Sequence, residues 1–452
     1  MQRTITVIGG GLAGSEAAYQ LAIRGIHVKL IEMRPVVSAP AHHTDQLGEL
    51  VCSNSLKSDD PATAAGMLKR ELEALGSVVL ACARATAVAA GGALAVDRTA
   101  FSTLLTQSIT ARPEIELVRE EARSVPEGDV IIATGPLTSA GLEPALLELT
   151  GADRLAFFDA AAPIVDASTI DMSVVFAQSR YDKGGGADYL NCPMDRSQYE
   201  AFIAALTGAE RVTAKDFEQA ELFYACQPAE EVARRGLDAP RFGAMKPVGL
   251  TDPSTGLRPW AVVQLRAENR EHTAYNLVGF QTNLTFSEQA RVFRMIPGLR
   301  DAEFLRYGVM HRNTFVDAPR LLDSDLTLRS CPRIRIAGQL AGTEGYLEAA
   351  ASGLVAALGI VCPEMSHPIR LPAETAIGSL IGYATDPATD PYQPMHVNIG
   401  LLPPLCPPVR GKRERYAAHA TRAAVAMTGW LEVHDELGIV AVRDALPGAV
   451  AT

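Results

Sequence analysis

The feature that most limits the possible folds is a glycine motif in the first 32 residues. The motif has the spacing GxGxxG and consists of Gly9, Gly10, Gly11, Leu12, Ala13 and Gly14. It follows an apolar stretch at 4–8, predicted as a strand, and precedes a predicted helix over 15–24. A second predicted strand over 26–31 leads to Glu32. This order predicts a Rossmann-like α/β domain with a doubly wound parallel sheet that binds a dinucleotide.

The glycines and the acid have distinct predicted roles. Gly9 permits a tight turn, Gly11 lets the backbone approach a pyrophosphate, and Gly14 lets the helix pack closely on the strand. The start of the helix directs backbone N–H groups at phosphate. The Glu32 carboxylate can accept hydrogen bonds from ribose hydroxyls. The alternative is a glycine-rich turn without a ligand, but strand, helix and acid all have the spacing that binding requires.

Two later segments favour FAD over NAD as the dinucleotide. Residues 129–135, DVIIATG, resemble the segment ending in ATG of FAD-binding proteins. Residues 334–338 open a second glycine turn, which commonly wraps the flavin end of the cofactor in such proteins. We therefore expect Gly135 and Gly338 to contact FAD. The alternative for 129–135 is an ordinary strand of the sheet.

The pattern between these segments differs and predicts an inserted domain. Short strands mix with helices from about 155 to 320. We expect an α+β domain at 151–325, inserted into an FAD-binding domain whose two parts are 1–150 and 326–452 with a C-terminal helix. The first part is predicted to contain a helix over 61–75 and a strand-rich stretch over 76–98. A charged helix is predicted over 410–429.

Composition narrows the classes of function. The net charge of −11 disfavours unselective attraction to nucleic acid but is compatible with a local basic surface. The seven cysteines include no CxxC spacing, which argues against zinc and fits reduced thiols. No signal-peptide pattern precedes the first strand, and no run of about 20 apolar residues is present. We expect a soluble, cytoplasmic protein.

The polar stretch at 34–60 contains candidate functional residues, because long loops within compact domains are often functional. His42 and His43 are adjacent on an irregular segment and rarely converge on one ion, so no metal site is expected. Cys52 lies on the same stretch, which favours a functional role over that of a buried filler. Cys226 is followed by basic residues that can stabilise its thiolate.

Eight basic residues form two clusters. They are Arg234, Arg235, Arg241 and Lys246 in the first cluster, and Arg410, Lys412, Arg413 and Arg415 in the second. Solvated helix faces and contacts with RNA phosphates both explain such clusters. From the residues alone, both interpretations stay open.

Nine longer segments are spread over nearly the whole chain. They are 41–45 (AHHTD), 49–56 (ELVCSNSL), 159–165 (DAAAPIV), 189–194 (YLNCPM), 245–250 (MKPVGL), 279–282 (GFQT), 294–299 (RMIPGL), 310–315 (MHRNTF) and 400–405 (GLLPPL). Together they resemble the TrmFO family, the FAD- and folate-dependent tRNA uracil-5-methyltransferases. Words of this length are far more specific than a glycine turn.

The resemblance implies methylation of uridine at C5 in the T-loop of tRNA. Methylenetetrahydrofolate supplies the carbon by way of reduced FAD, and NAD(P)H supplies the electrons. A cysteine adds to uracil C6, which makes C5 nucleophilic. By position, Cys226 is implied as that nucleophile, and Cys52 as the second family cysteine, near the flavin and assisting proton removal. Tyr346 is implied as part of the flavin and folate surroundings.

The chain departs from the family pattern around Cys226, which Tyr224 and Ala225 precede in place of the usual Glu-Gly. Gln227 replaces a usual Leu or Met, and 398–400 is slightly altered. Three alternatives stay open: ribosomal RNA uridine methylation by the same chemistry, GidA-type wobble uridine modification, and a non-catalytic, FAD-stabilised RNA-binding scaffold. The longer C-terminal helical region of GidA disfavours the second. The sequence does not separate NADH from NADPH or determine the oligomeric state, and a monomer is compatible with it.

Overall fold

The computed structural model describes most of the chain. The described residues are 3–39, 41–151, 156–160, 162–182, 187–212, 227–268, 272–308, 310–361, 369–390 and 392–438. The strands are β1 (Thr4–Ile8), β2 (His27–Glu32), β3 (Ser55–Ser58), β4 (Ala87–Val88), β5 (Ala93–Val96), β6 (Ile115–Arg119), β7 (Val130–Ile132), β8 (Ala156–Ala160), β9 (Ile164–Asp166), β10 (Phe176–Ala177), β11 (Tyr189–Met194), β12 (Ala261–Ala267), β13 (Ala274–Leu277), β14 (Phe304–Arg306), β15 (Met310–Thr314) and β16 (Ile334–Ile336). The α-helices are α1 (Leu12–Ala22), α2 (Ala64–Ala74), α3 (Val78–Ala85), α4 (Arg98–Thr110), α5 (Glu143–Thr150), α6 (Arg196–Gly208), α7 (Ala229–Arg234), α8 (Ala239–Phe242), α9 (Phe286–Phe293), α10 (Ala318–Leu321), α11 (Tyr346–Val361), α12 (Ala376–Thr385) and α13 (Lys412–Val433).

A five-stranded parallel sheet forms the first layer of the fold, in the order β16-β7-β1-β2-β6. All three residues of β7 and of β16 are buried, as expected for parallel strands covered on both faces. Helices α1 and α11 pack against each other so closely that a Cβ on Gly353 would lie 2.0 Å from the Ala13 carbonyl oxygen. The predicted doubly wound α/β fold is therefore confirmed, and 334–336 returns the chain to the first sheet.

A six-stranded sheet forms the second layered unit, in the order β10-β11-β12-β13-β9-β14. Its strand pairs are antiparallel, and β12 is buried along its whole length. Aromatic side chains of α6 and α9, among them Phe202 and Phe293, pack into a core separate from that of the first sheet. Strands β8 and β15 pair antiparallel, so the chain entering this unit and the chain leaving it run side by side.

The division at 150 and 325 stays a prediction. Val316, Ala318 and Leu322 pack in the core of the parallel sheet. We therefore propose that the chain has returned to the first domain by residue 316. This placement fits the pairing of β15 with β8 immediately before it.

One predicted element is wrong. The sequence predicts a strand-rich stretch over 76–98, but 78–85 forms α3, and only the short β4 and β5 follow. The Ser77 side chain caps this helix by accepting a hydrogen bond from the Leu80 N–H, and its apolar residues face the core. Capping and packing outweigh the strand preference of the adjacent valines at 78 and 79, because β propensity depends strongly on context.

The other predicted elements are confirmed with small shifts of their bounds. The helix predicted over 61–75 is α2, and the helix predicted over 410–429 is α13. Within the short-strand pattern of 155–320, the apolar residues 174–176 suggest a strand, but only residues 176 and 177 pair, as β10. Among the described residues, no helix combines the length and the apolar character that a membrane crossing needs.

Candidate functional site

The glycine turn between β1 and α1 has the geometry that its spacing predicts. Gly9 has φ +102°, and a Cβ there would lie 2.5 Å from the Ala133 carbonyl oxygen. A Cβ on Gly14 would lie 1.8 Å from the Gly9 carbonyl oxygen, so only glycine lets helix and turn approach this closely. Gly11 differs, because a Cβ there would meet no atom within 4 Å. Its Cα faces open space at the N-terminus of α1, which has no side-chain cap.

Glu32 is an ionised carboxylate fixed at the end of β2. It accepts hydrogen bonds from the Gly10 N–H at 2.7 Å and from Arg34 Nε at 2.7 Å. Burial by itself would raise the pKa of Glu32, but the hydrogen bonds and charge of Arg34 and the Gly10 N–H outweigh it and hold that pKa below its ordinary value. Arg34 in turn donates to Glu49 at 2.9 Å. Since each carboxylate oxygen has two lone pairs, Glu32 keeps capacity to accept from a ligand hydroxyl.

A cavity of about 480 Å³ lies at the carboxyl ends of these strands. Its size is within the ordinary range for cofactor pockets. Nine of the predicted site residues line it: Gly9, Gly11, Leu12, Ala13, Glu32, Cys52, Gly135, Gly338 and Tyr346. Gly10 and Gly14 do not line the cavity, but they belong to the turn that forms part of its wall. The fold thus brings together residues from the two ends of the predicted FAD-binding domain.

Tyr346, the first residue of α11, holds the loop that carries Cys52. Its hydroxyl accepts hydrogen bonds from the N–H groups of Cys52 at 2.8 Å and of Ser53 at 3.0 Å. Burial and the neighbouring Cys52 raise the pKa of Tyr346 above its ordinary value. The hydroxyl therefore stays neutral across the physiological range and keeps the loop against the cavity wall.

Tyr346→Phe is expected to lower the free energy of unfolding by about 1–3 kcal/mol, because it leaves two N–H groups without their acceptor. Alkylation of Cys52 by iodoacetamide should become faster as the loop loosens. Tyr383→Phe is the matched control, since the Tyr383 hydroxyl donates at 3.1 Å to the Gln393 carbonyl oxygen at an exposed position. Urea titrations and timed alkylation check both variants. Unchanged stability and alkylation in Tyr346→Phe would show that the hydroxyl does not hold the loop.

Three arginines surround the same loop. Arg98 and Arg306 each donate to the Cys52 carbonyl oxygen at 3.2 Å. Arg266 donates to the Ser53 hydroxyl at 2.6 Å and to the Asn54 side chain at 2.8 Å. Glu268 neutralises Arg98 through an ion pair. Burial and the charge of Arg98 lower the pKa of Arg306. These contacts fix the backbone of the loop and place three guanidinium groups around it.

A lysine, a glutamate and a histidine also line the cavity, although no sequence motif marks them. Lys57 donates to Glu348 at 2.6 Å, and both residues lie near His396. Burial and the charge of Lys57 lower the pKa of His396. Lys57 has φ +65°, a region that residues other than glycine seldom adopt. This backbone conformation distinguishes Lys57 in the structure, and the sequence carries no signal for it.

The adjacent histidines have different hydrogen-bond partners. His42 Nδ1 accepts from the Ala39 N–H at 3.3 Å, and the His43 N–H donates to Glu49 at 2.8 Å. Burial and the charge of Arg34 lower the pKa of His42 to about 4. In the described part of the chain, no three His, Cys, Asp or Glu side chains form a metal-binding group. The expectation of no metal site stays a prediction.

Cys226, the predicted nucleophile, lies outside the described residues, but both flanks of 213–226 are described. Before it, the Val212 N–H donates to the Asn283 carbonyl oxygen at 2.9 Å. After it, the Ala229 N–H donates to the Gln281 carbonyl oxygen at 2.7 Å. Gln281 also lines the cavity. Residues 212 and 229 are therefore attached to the stretch 281–283, and Gln281 of this stretch lines the cavity.

The two basic clusters lie outside the cavity lining. In the first cluster Arg234 pairs with Glu231, Arg241 lies 3.8 Å over the Trp260 ring, and Arg235 and Lys246 are exposed. In the second cluster all four side chains are exposed at and before the start of α13, and Lys412 and Arg415 flank the Tyr416 ring. The second cluster combines cationic and aromatic groups on one exposed surface.

Comparison with known proteins agrees with this architecture. Residues 4–364 match the family model GIDA, glucose inhibited division protein A. The methylenetetrahydrofolate–tRNA-(uracil-5-)-methyltransferase TrmFO of Pelobacter propionicus is 54% identical over 435 residues, which cover 96% of this chain and 95% of the relative. The TrmFO of Geobacter sulfurreducens is 52% identical over 433 residues, covering 95% and 99%.

A solved structure also shares the fold. GidA of Aquifex aeolicus, in its form I crystal, superimposes with a TM-score of 0.70 at 18% identity, covering 97% of this chain and 76% of that chain. At this identity the likeness shows the fold alone. The relatives above 50% identity decide the family, and their length matches this chain almost completely. This chain belongs to the TrmFO family of methylenetetrahydrofolate–tRNA-(uracil-5-)-methyltransferases, within the broader GidA family.

Proposed function

We propose that this chain methylates C5 of a uridine in the tRNA T-loop, with FAD as cofactor, methylenetetrahydrofolate as carbon donor and NAD(P)H as electron donor. One observation carries the proposal: the cavity that begins at the uncapped glycine turn also contains Cys52, on a loop held by Tyr346. A dinucleotide site and a positioned thiol thus share one space. The family of this chain carries out the chemistry that requires both.

The residues around the cavity fit FAD. The open space at Gly11 and the N–H groups at the start of α1 suit a pyrophosphate, and the ionised Glu32 suits a ribose hydroxyl. Gly135 and Gly338 have positive φ and line the cavity, and Tyr346 lines it as well. We propose these residues, with Gly9, Gly10, Leu12, Ala13 and Gly14 of the turn, as the cofactor-binding set. When bound, FAD supplies the reducing equivalents and carries the one-carbon unit.

We propose Cys226 as the nucleophile that adds to uracil C6. The thiolate sulfur forms a bond to C6, and the C5–C6 electron pair moves to C5, which then attacks the one-carbon unit. Loss of the C5 proton and cleavage of the bond between the new carbon and its carrier leave a methylene group on C5. A hydride, whose electrons come from NAD(P)H, converts this group to methyl as the sulfur leaves C6, which restores the pyrimidine. The attachment of 212 and 229 to 283 and 281 supports this role, since Gln281 lines the cavity. Tyr224 and Ala225 alter the immediate surroundings of Cys226 relative to the family.

We propose Cys52 as the group that assists removal of the C5 proton. Its loop faces the cavity and is only partly buried, so its thiolate can reach a substrate. Arg98 and Arg306 donate to the backbone carbonyl oxygen of Cys52 and so lie beside this residue. A cysteine that removes a proton has to be ionised beforehand, and positive charge nearby favours that form.

We propose that RNA binds through the basic clusters. Since the net charge is −11, the phosphate backbone requires a local positive surface. The cluster of Arg410, Lys412, Arg413 and Arg415 offers one, and the cluster of Arg234, Arg235, Arg241 and Lys246 a second. We also propose the cytoplasm as the compartment, because the RNA substrate and the reduced cofactors occur there. All the residues proposed here for catalysis, cofactor binding and RNA binding come from one chain, so we propose that the protein acts as a monomer.

Reversal of both Arg413 and Arg415 to Glu is expected to weaken RNA binding for all sequences. The slope of log K against log salt should become less steep by about 0.7–0.9 for each phosphate that the protein no longer neutralises. Filter binding at several salt concentrations measures the affinity and this slope. Arg123→Glu with Arg320→Glu changes the net charge equally at two highly exposed sites and serves as the control. Unchanged affinity in the first variant would locate the RNA surface elsewhere, at 234–246.

The proposed function is tested by methyl incorporation into a T-loop hairpin transcript, with and without methylenetetrahydrofolate. Product only in the presence of the folate is the expected result. Ribosomal RNA fragments and an anticodon-loop hairpin are offered in parallel. Methylation of the ribosomal fragments alone would support the rRNA alternative, and wobble modification would support the GidA type. RNA binding without turnover on any substrate would support the scaffold.

A further inference from the structure

Three aromatic rings of the second unit form an ordered stack. The Phe304 and Tyr307 rings lie 5.2 Å apart at 17°, and the Tyr307 and Phe286 rings lie 5.0 Å apart at 15°. Among the described residues of the same unit, the buried aromatic pairs are tilted or edge-on, as Phe280 and Phe293 are at 87°. The near-parallel arrangement in that part of the chain therefore belongs to these three rings.

One end of the stack is buried and the other is exposed to solvent. Phe304 rests against Phe293, which is fully buried in the core. Phe286, the first residue of α9, is 54% exposed. An exposed phenylalanine gains little from hydrophobic burial, so its contribution to stability is small. Its position instead extends a row of parallel rings from the core toward solvent.

Two residues of the stack adjoin, along the chain, residues that contact the proposed active site. Tyr307 directly follows Arg306, whose guanidinium contacts the Cys52 carbonyl oxygen. Phe286 follows the segment 281–284, to which both flanks of the Cys226 segment are attached. None of the three rings lines the cavity itself. The stack therefore stands outside the cavity lining and is linked through neighbouring residues to the surroundings of Cys52 and to the flanks of the Cys226 segment.

We propose that the outer face of Phe286 is a stacking platform for a nucleobase that flanks the target uridine. A uridine within a structured loop has to leave its stack before its C5 and C6 are reachable. Its neighbours then lose a stacking partner, and aromatic side chains commonly replace that partner in RNA complexes. This inference rests on the proposed function and names a contact surface for its substrate. Tyr307 and Phe304 hold the Phe286 ring in a fixed plane.

The test uses the full-length holoenzyme and a T-loop hairpin with 2-aminopurine next to the target uridine. Phe286→Ala is expected to weaken binding by about 5- to 100-fold, the loss that base–aromatic stacking implies. Stacking should also quench 2-aminopurine fluorescence on the wild type and much less on the variant. Phe286→Trp should restore both affinity and quenching. Phe286→Leu keeps an apolar side chain on Tyr307 without a ring face and should behave like Phe286→Ala.

The control is Leu257→Ala, which removes another exposed apolar side chain outside the stack. Reduction of the bound flavin by NAD(P)H should be the same in all variants. Wild-type affinity and quenching in Phe286→Ala would overturn the inference while methylation by the wild type still supports the proposed function. A raised KM for methylenetetrahydrofolate with unchanged RNA affinity would also overturn it. Failure of the wild type to methylate the hairpin would refute the function and leave the quenching measurement valid for the platform.

Discussion

Cys226→Ala is expected to abolish methylation, with a loss of more than about 1000-fold, because no other group can add to uracil C6 in its place. A 5-fluorouridine hairpin should form a stable covalent adduct with the wild type, since fluorine at C5 cannot leave as a proton. Cys226→Ala should form no adduct. FAD should stay bound in the variant, and NAD(P)H should still reduce it. Denaturing gels that retain labelled RNA measure the adduct, and flavin bleaching measures the reduction.

The roles of the two cysteines are separated by the same measurements. Cys52→Ala should keep FAD and still form the fluorouridine adduct, but its turnover should be slow because proton removal is impaired. Cys406→Ala is the control, since Cys406 is an exposed cysteine that does not line the cavity. An adduct in Cys226→Ala together with none in Cys52→Ala would reverse the assignment. Normal methylation by both variants would rule out thiol catalysis, and Tyr224-Ala225 would be the first place to seek the reason.

Gly11→Val is expected to abolish retention of FAD, which makes it the second large effect. The wild type should be purified yellow with non-covalent FAD. A side chain at Gly11 meets no protein atom within 4 Å, so valine leaves the fold intact and instead fills the space of the pyrophosphate. Gly11→Ala, with one methyl group, should weaken FAD binding less. Flavin absorbance after gel filtration measures occupancy, and circular dichroism confirms folding.

Gly429→Val provides the matched control for this substitution. Gly429 lies on the exposed side of α13, and a Cβ there also meets nothing within 4 Å. This variant should stay yellow, because valine is tolerated better than glycine in a helix. A colourless wild type that FAD does not reconstitute would contradict the cofactor assignment. Full FAD retention in Gly11→Val would place the pyrophosphate away from the glycine turn.

The sequence by itself determined the glycine turn and the strand and helix on either side of it. The spacing of Gly9, Gly11 and Gly14 predicts these elements, because Gly9 adopts a positive φ in the turn and Gly14 packs directly on the Gly9 carbonyl oxygen. The long family-like segments predicted the family and its chemistry. These signals are local, so they can be read without knowing which distant segments meet. The error at 76–98 arose where tertiary packing and a serine cap outweighed local strand preference.

Only the tertiary structure decided what surrounds the thiol. Arg98 begins helix α4, Arg266 and Arg306 lie on strands β12 and β14 of the second sheet, and their partners at 52–54 are 46, 212 and 254 residues away. No spacing rule links such residues, because their proximity depends on how the second unit docks on the first. The stack that ends at Phe286 has a similar origin, since strand β14 and helix α9 pack together in the core of the second unit. The turn that binds the cofactor can thus be predicted from residues adjacent in sequence. The charged and aromatic side chains around the proposed active site come together only through long-range packing.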